Sequence, residues 1–342
     1  MNLLVIHAIS KLKKEGPVEA MYHLLNASLV EVKSQNLQIK FEIVTFQEPN
    51  KEYIKKFKNL DVKINVLNNP KKLISYIIKK QKKIIFHSHC TRSILFSWAM
   101  FKCIKVHSCQ IVIGLQAKKM HGFLKGSLIN FLNKLMYHFQ DKLIFSSKAV
   151  QNSLSQNLSK RGIILYNFIS TSNILPNKYD YLLTIARLSS EKNIEELIRF
   201  HSELKVNIRL LIVGDGPEKE KLKQLIGSNP NIELLGFRDD IESLISNCIT
   251  YVSSSKTEGL PMAVLQAISG SKPLLLSNIE PHQELIEGNG QLYELGNQED
   301  FQMKLLDIVQ NYHVYSKGSS HLSKYKFNPN KLSNKYIQFI LK

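Results

Sequence analysis

Residues 258–267, EGLPMAVLQA, place Glu258 and Gly259 ahead of an apolar run, with Gln266 eight positions further on. A helix opening near Leu260 and Pro261, after the strand-like ITYVSSS, would turn its unbonded backbone N–H groups outward, an arrangement that attracts anions. A carboxylate there repels phosphate, so Glu258 is expected to face hydroxyl groups, with Gln266 about two turns along on roughly the same helix face. ARLSSEKN, 186–193, offers Arg187 and Lys192 from one loop at another helix start, two cations suited to charge-assisted hydrogen bonds with a diphosphate. IVGDGP, 212–217, is a strand running into a turn; LGFRDD, 235–240, ends a strand where Phe237 and Arg238 either meet a nucleobase or form a plain connecting loop. In FHSHCTRS, 86–93, alternation sets His87 and His89 on one strand face. Two histidines without a third ligand do not make a metal site, and a satisfied core or loop histidine is the plainer alternative.

These residues need strand ends and helix starts to hold them. The first half carries strand-like runs at 3–9, 41–46, 62–67, 83–89, 110–115 and 142–147, and the second half at 181–186, 209–214, 232–236, 249–255, 273–277 and 290–295. Helical patterns alternate with them, including 17–35, where Pro17 suits a first helical residue. Such alternation predicts α/β architecture, with parallel sheets covered on both faces and ligands at the carboxyl ends of the strands. The polar stretch NFISTSNILPNKYD, with Pro176, reads as a linker. The expected layout is 1–170, 171–325 and a closing helix at 326–342 that packs back toward the first domain. PKKLISYIIKKQKK, 70–83, predicts an amphipathic helix with Leu73, Ile74, Ile77 and Ile78 inward and Lys72, Lys79, Lys82 and Lys83 outward.

The net charge of +18 is concentrated in one half. Residues 1–170 hold 27 Lys+Arg against 8 Asp+Glu, and 171–342 hold 19 against 20. A compositional bias toward Lys would act on both halves, so the asymmetry points to an anionic surface or substrate. With 40 Lys and 6 Arg, the pattern fits an anionic membrane surface better than nucleic acid, whose recognition leans on Arg and aromatic stacking. The four cysteines have neither paired nor metal-type spacing, which suits a reducing cytoplasmic compartment. The apolar start lacks a basic n-region, and no apolar run approaches the roughly 20 residues that cross a bilayer. A protein neither secreted nor membrane-spanning is expected.

The order and spacing of ARLSSEKN, IVGDGP, LGFRDD and EGLPMAVLQA resemble glycosyltransferase family 4, retaining sugar-nucleotide transferases of GT-B fold, and above all members that build bacterial capsule or lipopolysaccharide. The resemblance is strongest over 181–295. It implies two Rossmann-like domains facing across a cleft. By it, Arg187 and Lys192 hold the donor diphosphate with help from the amides of Gly259 and Leu260, Phe237 and Arg238 lie at the nucleobase, and Glu258 faces the donor sugar. Gln266 stands where the family has a second Glu that binds the ribose hydroxyls, and a neutral carbonyl there costs about 1 kcal/mol of donor binding. His89 matches a histidine beside the donor sugar and acceptor. Gly16 stands alone in KKEGPVEA, where the family has a glycine-rich loop approaching the donor.

The resulting expectation is a metal-independent retaining transferase without cofactor, using a nucleoside-diphosphate sugar, UDP-linked, and a lipid-linked or surface-polysaccharide acceptor. It would work in the cytoplasm, at the inner face of the membrane and on no nucleic acid. A sugar-nucleotide epimerase of the same fold and a non-catalytic nucleotide-sugar binder remain alternatives.

Overall fold

The computed structural model describes residues 3–80, 83–90, 93, 107–112, 123–169 and 180–342. The chain divides into two units, one of residues 1–168 with 329–342, the other of residues 169–328. Of the expected linker, 167–180, residues 170–179 lie outside the described residues.

The first unit is built on seven parallel strands in the order β3-β2-β1-β4-β5-β6-β7. They are β1 (Leu3–Ile9), β2 (Ile39–Thr45), β3 (Lys63–Val66), β4 (Lys83–Ser88), β5 (His107–Val112), β6 (Lys142–Phe145) and β7 (Gly162–Ile164). β7 is too short to show a period, and sequence reasoning missed it. β5 starts three residues before its expected position, and positions 113–115 lie outside the described residues. β1 is buried at every position, as a central strand covered on both faces must be. Leu4, Ile6 and Ala8 pack with Val44, Phe86, Leu73 and Ile77 on one face. The closing helix, Pro329–Leu341, belongs to this unit and packs on the helix Gly16–Ser34. Lys335 Nζ donates to the Ile164 carbonyl at 2.7 Å and Lys142 Nζ to that of Phe339 at 2.8 Å, satisfying carbonyls at the end of a strand and in the last turn of a helix.

The helix expected over 70–83 is shorter, Pro70–Ile78. Asn69 caps it by accepting from the Lys71 amide, and Leu73 and Ile77 are buried. Ile78 is 61% exposed, because the chain leaves the helix there to enter β4, whose first residue is Lys83. Lys72, Lys79 and Lys83 are exposed, as expected, although the last two lie beyond the helix; Lys80 pairs with Glu42 at 2.8 Å, and Lys82 lies outside the described residues.

The second unit has six parallel strands in the order β10-β9-β8-β11-β12-β13. They are β8 (Tyr181–Ile185), β9 (Arg209–Val213), β10 (Ile232–Gly236), β11 (Thr250–Ser253), β12 (Leu274–Ser277) and β13 (Gly290–Tyr293). Leu182, Leu210, Ile212, Val252 and Leu275 join Leu197, Phe301 and Leu305 in one core. Leu183, Leu211 and Val213 form another with Ile245. Alternate residues of the same strands thus serve opposite faces. In each unit the strand order reverses beside the first strand, between β1 and β4 and between β8 and β11, and such reversals leave a crevice at the strand ends.

Candidate active site

The strand reversal of the second unit brings the two most distinctive motifs together. β8 ends at Ile185; a 3-10 turn, Ser190–Lys192, and Asn193 at φ 53° lead into the helix Ile194–Ser202. β11 ends at Ser253, and its serines tie the two loops. Ser254 Oγ donates to the carbonyls of Lys192 and Asn193 at 3.1 and 2.9 Å, the Lys256 amide donates to the Glu191 carbonyl at 2.8 Å, and Ser277 Oγ donates to that of Ser255 at 2.6 Å. Lys192 Nζ lies 2.5 Å from Glu258 Oε1, which also accepts from Ser255 Oγ at 2.8 Å. Arg187 is exposed on the same loop and makes no side-chain hydrogen bond among the described residues. One loop therefore presents a solvent-facing cation and a second cation held by a largely buried carboxylate.

IVGDGP is more than a turn. Gly214 has φ 136°, and a Cβ there would stand 1.9 Å from the Ala186 carbonyl oxygen; one on Gly216 would stand 2.3 Å from that of Leu188. The glycines let the loop after β9 lie directly on the loop that carries Arg187, with the Leu188 amide donating to the Asp215 carbonyl at 3.0 Å.

The structure corrects the opening of the next helix. It runs Met262–Ser269 with Pro261 as its N-cap in extended conformation, so Gly259 and Leu260 precede the cap and their amides are not those of its first turn. Leu260 is buried, whereas a Cβ at Gly259 would meet nothing within 4 Å, so the Gly259 backbone borders open space. Glu258 likewise sits in the loop, and the shared helix face expected of Glu258 and Gln266 does not exist: half of their eight-residue separation is loop. Gln266 is half-buried, four residues into the helix.

Beyond β10 the Phe237 ring is 65% exposed, following Gly236 at φ 65°. Arg238 is held by Asp240 through two hydrogen bonds, Nε to Oδ1 at 2.8 Å and Nη2 to Oδ2 at 2.7 Å. That fork raises the Arg238 pKa and lowers the Asp240 pKa, and it commits the guanidinium to its neighbour.

In the first unit, Gly16 is exposed at the start of its helix, next to Glu15, which pairs with Lys13 at 2.5 Å. His89 lies just past β4, its amide donating to the Ala8 carbonyl at 2.9 Å. It is almost fully buried, and burial lowers its pKa to about 3, so the ring is neutral. Its Nε2 is 2.8 Å from Nδ1 of His7, a residue that sequence reasoning did not single out. Strand order supplied the missing signal: parallel pairing of β1 with β4 sets His7 level with His87. Burial first, and the neighbouring imidazoles second, hold His7 and His87 well below the usual histidine pKa.

A parallel α/β unit with two cations and a glycine-permitted loop at its strand reversal, joined in one chain to a second parallel α/β unit, defines the GT-B class. Residues 167–326 match the family described as glycosyl transferases group 1. An uncharacterized glycosyltransferase of Methanocaldococcus jannaschii is 28% identical over 277 residues, 77% of this chain and 74% of that protein. The N-acetylgalactosamine-N,N'-diacetylbacillosaminyl-diphospho-undecaprenol 4-alpha-N-acetylgalactosaminyltransferase of Campylobacter jejuni is 32% identical over 160 residues, 42% of this chain and 44% of the other. Among solved structures, HepE of Anabaena in complex with UDP and glucose superposes with a TM-score of 0.81 at 13% identity, covering 98% of this chain and 99% of HepE. The chain has the GT-B fold, and its second unit carries the stretch that matches the group 1 glycosyltransferases.

Proposed function

We propose that this glycosyltransferase moves a sugar, with retention, from a UDP-linked donor to a lipid-linked or surface-polysaccharide acceptor at the inner face of the cell membrane, without a metal in the transfer step. The observation that carries the reading is the Lys192–Glu258 pair at 2.5 Å, which joins the loops after β8 and β11 at the strand reversal. Arg187 and Lys192 neutralise the departing diphosphate, the work that a divalent ion does in other transferases. Glu258, already held by Lys192 and Ser255, keeps the cation in place before the donor arrives and turns its free oxygen to the sugar hydroxyls. Attack comes from the face that the diphosphate leaves, so no protein nucleophile is required. Phe237 offers an exposed ring on which a base can stack, Gln266 serves the ribose, and His89 serves as a neutral group on the acceptor side.

The UDP bound by HepE and the diphospho-undecaprenol acceptor named for the C. jejuni relative support the donor and acceptor classes. For the membrane, the helix Phe123–Tyr137 exposes Leu128, Phe131 and Leu135 at 58%, 64% and 42%, a spacing that puts them on one face of a strongly basic unit. Among the described residues no helix is long and apolar enough to cross a membrane.

The test is nucleotide release from a panel of UDP- and GDP-sugars, with and without an undecaprenyl-diphosphate glycan. Release of UDP that depends on the acceptor, with the anomeric configuration kept, supports the proposal. Conversion of the donor alone to an epimer would replace it with an epimerase reading, and tight UDP binding without turnover would reduce the chain to a binder.

A further inference from the structure

We propose that His7, His87 and His89 form a site in the first unit for a divalent transition-metal ion of the zinc type, braced by the Tyr336 hydroxyl. One ring nitrogen from each of the three lies within 4.8 Å of the other two, and all three residues are buried. Two come from the paired strands β1 and β4, and the third is fixed by the hydrogen bond its amide donates to the Ala8 carbonyl, so the cluster rests on the central strands of the sheet.

The hydrogen bonds around it choose between a plain histidine network and a metal site. Tyr336 Oη is 2.8 Å from His87 Nδ1 and 3.3 Å from His7 Nε2, so one oxygen meets one nitrogen of each ring. With protons on those two nitrogens, the lone pairs left over are Nδ1 of His7 and Nε2 of His87. The first faces His89 Nε2 at 2.8 Å, and the second is buried with no hydrogen-bond partner. A proton shared between His7 and His89 satisfies that pair and still leaves His87 Nε2 bare. A cation accepting from all three nitrogens occupies that bare lone pair as well. Imidazole suits zinc and its first-row neighbours; bonds of about 2.0–2.1 Å at a tetrahedral centre put the nitrogens about 3.4 Å apart, so the His7–His89 pair opens by about 0.5 Å and the wider separations, up to 4.8 Å, close, leaving a fourth position for water. Tyr336 then does what outer partners of metal-bound histidines do, orienting two rings through their other nitrogens.

None of these residues belongs to the diphosphate set of the second unit, so the site is a separate property of the first unit. Because the ion takes the lone pair of His89, occupancy opposes any use of that nitrogen in transfer.

The experiment is titration of the full chain, stripped by chelator, with Co²⁺ followed by visible absorption, then displacement by Zn²⁺. One Co²⁺ per chain with the intense bands of a four-coordinate ion, bleached by Zn²⁺, supports the site. Only weak bands of six-coordinate surface ions would overturn it, and that result needs no variant. Tyr336→Phe, which keeps the ring, should weaken Co²⁺ binding by about 10–100-fold. His87→Gln should abolish the four-coordinate spectrum in a chain whose circular dichroism is unchanged; an unaltered spectrum in that variant would place the metal elsewhere.

Discussion

Lys192 and Glu258, 66 residues apart in sequence, share a 2.5 Å ion pair that fastens the loop after β8 to the loop after β11. Both side chains are largely buried, 22% and 10% exposed, so the pair is less screened than a surface bridge, and removing either partner leaves the other charge poorly compensated. Lys192→Ala should therefore raise donor KM and lower kcat together, with a loss in kcat/KM of about thirtyfold, the equivalent of about 2 kcal/mol for one charge-assisted contact. Glu258→Gln should depress transfer while leaving UDP affinity within about threefold. Steady-state kinetics beside UDP calorimetry checks both, and equal loss of affinity and turnover in the Glu258 variant would contradict its placement at the sugar.

Gln266→Glu should tighten UDP binding by up to about 1 kcal/mol, because an ionised carboxylate accepts from two ribose hydroxyls more strongly than an amide carbonyl. Turnover at saturating donor should hardly change. Titrating parent and variant with UDP and its 2′-deoxy analogue reads the effect directly. If loss of the hydroxyl penalises both proteins equally, Gln266 does not touch the ribose.

Phe131→Ser should reduce retention on vesicles containing anionic lipid, since it removes an apolar ring that is 64% exposed on the helix Phe123–Tyr137. Rising salt should release the parent protein, because exposed charges are screened beyond about 8 Å at physiological ionic strength. Sedimentation with anionic and neutral vesicles distinguishes the contributions; equal binding to neutral vesicles at every salt concentration would remove the charge from the account.

Lys272 gives the second unit a pH dependence. It is 2% exposed, donates to the carbonyls of Ser246 and Cys248 at 2.6 and 3.2 Å, and burial lowers its pKa to about 8. An unfolded lysine titrates near 10.4, so between about pH 8 and 10 the unfolded chain binds more protons than the folded one. Stability contributed by this residue must then rise with pH across that window. Denaturant midpoints at pH 8 and pH 10, compared with those of Lys272→Met, isolate the effect; a parent-minus-variant difference that falls or stays level would refute it.

The alternation of β-branched runs with helical patterns was enough to give the parallel α/β class, because a strand's burial and a helix's apolar stripe are written in residues that adjoin one another. The cations Arg187 and Lys192 and the acid Glu258 stand out in the sequence as candidates, since each follows a strand-like run. Their pairing was not, and neither was the start of the last motif's helix at Met262, where Pro261 adopts an extended cap that the apolar run conceals. His7 passed as an ordinary strand residue until the order of β1 and β4 set it level with His87, and Tyr336 reached that cluster from 249 positions beyond His87. Local periodicity specifies what each segment becomes; which segments lie side by side, and in what register, depends on packing both faces of each sheet at once, and only the folded chain settles that.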